Sequence, residues 1–289
     1  MNHSHRALYG LLGLMTFFWS VNYVVAKIAL EHFPPLLFTP LRTAAASVLL
    51  LAVWRHEGFS SVGAQWPRIA LLGITGISGN QLAFMLGMQR TSVAHASLII
   101  ALTPVFVLLL SAWRAHERIT ARKAAGMAIA FSGVALLNLA PSRPARGATL
   151  AGDFLVFLAS FTFALFTVAG RNVTRGLGAI PVTAAAYAAS AVSLTPLGLW
   201  QARGFDFSSV PPAGWLTLAY MAVFPSVVCY LIYYHALARI PASRVSAFSY
   251  SQPLIATLTG YVALGEPVTM AVAFGGLLVL SGVWATSRG

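Results

Sequence analysis

Charge is what this sequence has least of. Of its 289 residues 8% are Asp, Glu, Lys or Arg, with six acids against 18 Lys and Arg, where a soluble globular domain carries roughly 25%. A water-soluble fold of this length would have too little to face water with, so that class is excluded. Cysteine occurs once. The lone Cys229 can form no internal disulfide and lacks the partners of a thiolate metal site. Also missing are HExxH, a Walker A loop and any Cys/His cluster, which removes the usual sequence grounds for zinc hydrolysis or ATP-driven pumping. No cofactor and no metal is expected. The net charge of +12 would suit nucleic acid if it formed a basic face on a soluble fold. Here the basic residues lie mostly in short loops between apolar runs, and no nucleic-acid partner is expected.

What is present is apolar length: 58% of the chain is hydrophobic. A hydrocarbon core of about 30 Å needs about 20 mostly apolar residues per helix. Ten such runs can be read between breakers, at 7–30, 36–54, 67–89, 91–113, 119–140, 150–171, 180–201, 214–238, 242–263 and 268–286. The first is too long for a signal-peptide core and has no small-residue cleavage pattern after it, so it reads as a retained helix. The expected fold class is an all-α polytopic membrane protein. An even number of crossings puts both termini on one side. With the termini cytoplasmic, 12 of the 18 basic residues fall inside and six outside, the positive-inside bias, although Arg143 and Arg146 count against it. Trp54, Trp66, Trp113, Trp200, Trp215 and Trp284 fall near helix ends, as interfacial anchors do, whereas Trp19 sits within the first run.

The chain also repeats. Shifted by 149 residues, Pro104 meets Pro253, Glu117 meets Glu266, Thr120 meets Thr269, Gly126 meets Gly275, and Ser132-Gly133-Val134 meets Ser281-Gly282-Val283. At a slightly different offset Lys27 meets Arg171. Two halves follow, 7–140 and 150–286, each of five helices. Because five is odd, the halves enter the membrane in opposite senses, and an inverted-topology repeat is a transporter signature, with the substrate near the midplane between the repeats.

Several stretches carry a family likeness: WSVNYVVAK in the first helix with Arg42 in the second, AHASLIIALTPVFVLLLSA and HERITARKAAG in the fourth and fifth, and SRVSAFSYSQPLIATLTGYVALGEPVT with GGLLVLSGV at the end. Together they resemble the EamA half-repeat of the drug/metabolite transporter (DMT) superfamily, and within it the YddG-type amino-acid exporters. The resemblance implies ten helices in two inverted five-helix repeats around a central cavity. It also implies export of small metabolites, amino acids including aromatic ones, across a bacterial inner membrane by alternating access. The implied partners are a small-molecule substrate and the lipid bilayer, with no obligatory protein partner.

Polar groups inside membrane helices are costly and usually face a neighbouring helix or a watery cavity. Asn22 lies midway along the first helix with Trp19, Tyr23 and Ala26 at helical spacing, which would suit a substrate with a flat side chain; an interhelical hydrogen bond is the alternative. Asn80 and Gln81 mark the polar point of the third helix, with Ser78 and Phe84 nearby, and adjacent positions do not share a face, so one of the two is expected as the main ligand. Tyr230 in the eighth helix and Tyr250 and Gln252 in the ninth complete the substrate-binding candidates. Ser243, Ser246, Ser249 and Ser251 read as packing residues. Arg42, six residues into its helix, could attract a carboxylate or bond carbonyls freed by Pro40, and His235 is the second electrostatic candidate. Lys27 reads as a snorkelling anchor. Pro104 and Pro253, each late in its helix, are the hinge candidates.

Glu117, Glu266 and Asp153 read as helix-start residues near the membrane faces. That leaves no acid at the bilayer centre, so transport runs down the substrate gradient unless His95 or His235 carries a proton. An enzyme reading starts from Gly76-Ile77-Ser78-Gly79, which resembles the GxSG of rhomboid proteases with His235 as base. The repeat speaks against it, and the chain is expected not to be an enzyme. A channel would be separated from a carrier by the absence of saturation.

Overall fold

Proline and glycine set the ends of the helices. The computed structural model describes residues 3–59, 62–113, 119–139, 149–240, 245 and 247–288, and no strand occurs among them. Helix α1 (His3–His32) gives way to α2 (Pro35–His56) at Pro34 and Pro35; Pro35 opens α2, where its missing N–H would have no helical partner anyway. The third crossing is continuous but not uniform: α3 (Trp66–Leu72) passes through a π segment (Gly73–Gly79) into α4 (Asn80–Met88). Next come α5 (Val93–Ile100), a turn at Ala101 and Leu102, α6 (Thr103–Trp113) and α7 (Ala121–Leu139). Helix α8 (Leu150–Leu177) is separated from α9 (Ala179–Ala202) by Gly178, whose φ of +89° is open to glycine and strained for other residues. A second π segment (Ala222–Val228) joins α10 (Pro212–Met221) to α11 (Cys229–Leu237). A 3₁₀ turn (Ala247–Ser251) leads into α12 (Gln252–Leu264), and α13 (Met270–Arg288) ends the described chain.

Seven segments among the described residues are long and apolar enough to cross a membrane: Ala7–His32, Pro35–His56, Gly63–Met88, Val93–Trp113, Leu150–Arg171, Ala179–Ala202 and Pro212–Leu237. They fall on seven of the ten expected runs. The other three runs hold α7, which carries Arg122 and Lys123 in its first turn, α12, with 13 residues, and the shorter apolar helix Met270–Thr286. Helices α7 and α13 meet backbone to backbone: a Cβ on Gly126 would lie 2.7 Å from the carbonyl oxygen of Gly282, and one on Gly133 2.6 Å from that of Gly275. Small residues that let helices approach this closely are how membrane helices gain packing energy.

One end of the bundle is clasped by polar contacts around the α4–α5 turn. Ser92 caps α5 by accepting from the His95 N–H, and Glu266, from the loop before α13, accepts from the Val93 N–H at 2.9 and 3.2 Å. Sequence position marks Glu266 as the start of its own helix; it caps α5 instead, while Thr269 caps α13 at Val272 N–H. On the other side, Thr149 donates from both N–H and Oγ1 to the Arg90 carbonyl. Asp153 is 3% exposed and bonds the His95 ring nitrogen Nδ1 at 2.8 Å, with the Thr91 hydroxyl on its other oxygen. Asp153 stands in the first turn of α8 as expected and has a further role: a carboxylate this buried needs partners, and it has two. Removing one member of a buried pair typically costs about 3–5 kcal/mol. Asp153→Ala is therefore expected to lower the unfolding midpoint of the detergent-solubilised protein by several degrees, and an unchanged midpoint would mean the clasp carries no stability.

The hinge prolines also need correction. Neither lies late in a helix: the helical run breaks at Ala101–Leu102, so Pro104 is the second residue of α6, and Pro253 is the second residue of α12. Lacking an N–H, proline is tolerated in a first turn and disruptive further in. Glu117, Arg143, Arg146, Ser243 and Ser246 lie outside the described residues, as does the side chain of Ser249.

Candidate functional site

A cavity opens between α1, α2, α4, α5, α6, α8, α11 and α12. Its wall is formed by Trp19, Asn22, Tyr23, Arg42, Asn80, Gln81, Phe84, Ile100, Thr103, Phe163, Tyr230 and Gln252.

Arg42 is 4% exposed and is the one charged residue among those lining the cavity. Its Nε donates to the Met221 carbonyl at 3.1 Å and to Ser226 Oγ at 2.8 Å. The expected acceptors are carbonyls freed near Pro40. The observed one belongs to α10, because Pro225 lacks the N–H that would bond Met221 in an α-helix, and the chain widens there into its π segment. Ser226 donates to the same carbonyl at 2.8 Å. All of Arg42's hydrogen bonds to described residues come from Nε, so its two terminal amino groups remain for whatever enters the cavity.

Asn80 and Gln81 stand side by side at the start of α4, just past the other π segment. Asn80 and Gln81 both line the cavity, although neighbours on a regular helix diverge by about 100°. They follow directly on the wider turn of residues 73–79, and single π turns often occur at functional sites. Asn80 Nδ2 donates to the Ala159 carbonyl at 2.8 Å, and Gln81 Nε2 meets the Tyr187 hydroxyl at 3.0 Å. Tyr23 donates to Gln252 Oε1 at 3.3 Å. Two acceptors, Asn22 Oδ1 and Gln81 Oε1, are buried with no hydrogen-bond partner among the described residues.

The apolar wall is aromatic. Trp19 and Phe163 meet edge to face with ring centroids 5.7 Å apart, and Tyr230 lies 6.2 and 6.1 Å from them. Trp19 Nε1 donates to the Pro225 carbonyl at 3.2 Å, which ties this helix to the π segment that Arg42 also holds. Tyr23 and Phe84 pair at 5.7 Å on the same cavity.

Two candidates from the sequence stand elsewhere. Tyr250 does not line the cavity: it belongs to the 3₁₀ turn before α12, not to the helix that carries Gln252. His235 lines a different cavity of about 1130 Å³, with Leu11, Trp54, Glu57 and the α8–α9 junction. The serine-hydrolase arrangement is not formed among the described residues, since the Ser78 hydroxyl lies 2.7 and 2.9 Å from those of Ser190 and Ser193. Conversely, the cavity is also lined by Ile100 and Phe163, which are apolar, and by Thr103, whose hydroxyl can bond a carbonyl of its own chain. The repeat carries the signal for two of them: Thr103 stands 149 positions before Gln252, and Phe163 stands as far after Trp19 as Arg171 after Lys27. Ile100 has no such mark.

Comparison with known proteins fits this architecture. The model of the EamA-like transporter family matches twice, at residues 8–139 and 150–288. A protein of Archaeoglobus fulgidus described as an uncharacterized transporter is 30% identical over 96% of this chain and 98% of its own length. A probable terminal-alkyne amino-acid exporter of Streptantibioticus cattleyicolor is 29% identical over 93% and 90%. The inner membrane transporter YedA of Escherichia coli K12 is 26% identical over 91% and 84%. A solved crystal structure superposes with a TM-score of 0.70 over 95% of this chain and 94% of that one; at 21% identity, this is a likeness of fold.

Proposed function

Since the chain belongs to the EamA-like transporter family of the DMT superfamily, we propose that it is a multi-pass inner-membrane carrier that exports amino acids, aromatic ones included, by alternating access. Ten crossings form two inverted repeats, 7–140 and 150–286, with both termini cytoplasmic. Reciprocal contacts support the repeat. Gly126 packs on Gly282 and Gly133 on Gly275; at the 149-residue interval Gly126 corresponds to Gly275 and Gly133 to Gly282, so each contact is the other with the halves exchanged. The two π segments begin at Gly73 and Ala222, the same interval apart. Asn80 donates to Ala159 O and its counterpart Cys229 to Met15 O, so each half's bulged helix bonds the other half's first helix. A cavity enclosed by such a pair is reached alternately from the two faces as one half rocks on the other.

The observation that carries the substrate reading is Arg42. A single guanidinium with free terminal donors beside an aromatic wall suits a carboxylate on a flat side chain, and the Streptantibioticus relative is named an amino-acid exporter. Closer likeness to the YddG-type exporters of aromatic amino acids is part of this proposal. A second reading is a DMT carrier for another metabolite. A drug-like cation is disfavoured, because Arg42 would repel it. Labelled phenylalanine, tryptophan, threonine and methionine, offered to liposomes holding the purified protein with and without a pH gradient, test the proposal. Saturable uptake without a pH gradient, with phenylalanine and tryptophan the stronger competitors, is expected. No uptake of any amino acid under either condition would overturn it.

A further inference from the structure

Beside Arg42 and the hydroxyls of Thr103, Tyr23 and Tyr230, the cavity wall carries four side-chain amides, and three of them, Asn22, Asn80 and Gln81, have an oxygen with no hydrogen bond to a described residue. Asn80 commits its amino group to the Ala159 carbonyl at 2.8 Å. A carbonyl can only accept, so the amide orientation is determined and its oxygen is the end left over. Gln81 Nε2 donates to the Tyr187 hydroxyl and its Oε1 is buried without a partner among the described residues, as is Asn22 Oδ1. Both side chains are more than nine-tenths buried, at 2% and 7% exposed. Buried acceptors without donors are costly and uncommon in native proteins. Here they gather on the wall of one cavity, and no carboxylate lines that wall among the described residues. What would complete them is a ligand that brings several N–H donors together.

We infer that Asn22, Asn80 and Gln81 form the subsite for a protonated primary amine of the cargo, opposite in chemical demand to Arg42. An ammonium group has three donors and no acceptor, which matches three amide oxygens. Neutral amides suit it better than a carboxylate would: with Arg42 already positive, a zwitterionic head leaves the filled cavity with the single charge it had when empty. A fixed acid beside Arg42 would instead form an internal pair that the cargo had to break. Because the sites for a carboxylate and for an amine are separate, the carrier discriminates by the amine as well as by the ring. This deepens the amino-acid reading above and rests on it for the second half of the cargo's head group.

Isothermal titration of the purified wild-type protein with phenylalanine, 3-phenylpropionate and phenethylamine tests the subsite. These ligands carry both charged groups, the carboxylate alone and the amine alone. Phenylalanine is expected to bind at least tenfold more tightly than 3-phenylpropionate. In Asn22→Leu and Gln81→Leu that ratio is expected to fall towards one, a readout that a partly misfolded sample does not mimic, because both ligands would weaken together. If wild-type protein binds phenylalanine and 3-phenylpropionate equally, the amine subsite is overturned and the carrier reading stands. If phenethylamine alone binds, and binding is lost in both variants, the subsite stands and the amino-acid reading fails. If none of the three binds, both fall.

Discussion

Arg42→Leu is expected to lower amino-acid uptake into proteoliposomes by about a hundredfold or more. Truncating one partner of a desolvated charge pair typically costs about 2–5 kcal/mol, and each 1.4 kcal/mol is roughly tenfold. The fold should suffer less than the activity. The Met221 carbonyl loses the Arg42 donor but keeps Ser226 Oγ, so no backbone acceptor is stranded. Arg42→Lys separates geometry from charge. Lysine keeps the charge, but one ammonium cannot both bond Met221 and Ser226 from an Nε and present a planar pair of amino groups to a carboxylate. Uptake about tenfold below wild type is expected for it. Uptake at the wild-type level in Arg42→Leu would remove the carboxylate role and leave Arg42 as a brace between α2 and α10.

Gly73→Ala is expected to have the largest effect on folding. A Cβ at this position would overlap the backbone carbonyl of Ala186 on α9, with the Ala186 carbonyl carbon 2.9 Å away. The obstacle is main chain, which no rotamer change can relieve. Overpacking typically costs about 1–3 kcal/mol and more where the neighbour cannot yield. The change would also push α9 away from the first π segment, where Ser78 bonds Ser190 and Ser193. Loss of the monodisperse peak in gel filtration, or an unfolding midpoint lowered by ten degrees or more, is the expected result. Gly10→Ala is the matched control, since a Cβ there meets nothing within 4 Å. Equal behaviour of the two variants would show that the α3–α9 seam tolerates a shift.

Most of the cavity is legible in the order of the residues alone. Trp19, Asn22, Tyr23, Asn80, Gln81, Tyr230, Gln252 and Arg42 follow from one rule, that a polar or amphipathic side chain within an apolar run must find something other than lipid; they line one cavity, together with Phe84 beside them. The rule says nothing about direction or distance. It therefore does not separate Tyr250 and His235 from the others, nor find Ile100, which is apolar, or Phe163, which looks like any lipid-facing aromatic. The prolines are a different case: Pro104 and Pro253 announce a break, and each stands in the first turn after it, where its missing N–H costs no helical bond.

The sequence by itself determined that the chain lives in a bilayer, that it is helical and that it is built of two related halves, because hydropathy, length and internal likeness are properties of a chain whatever its shape. Tertiary structure alone decided the rest. It closed Asp153 onto His95 and Glu266 onto the start of α5. It widened the chain into a π segment just ahead of Asn80 and Gln81, which both line the cavity. It also drew Arg42 to a carbonyl orphaned by a proline in the other half of the chain. Each of these is a demand for a partner that a buried polar group makes wherever it lies, and its own neighbours in the chain cannot say who answers it.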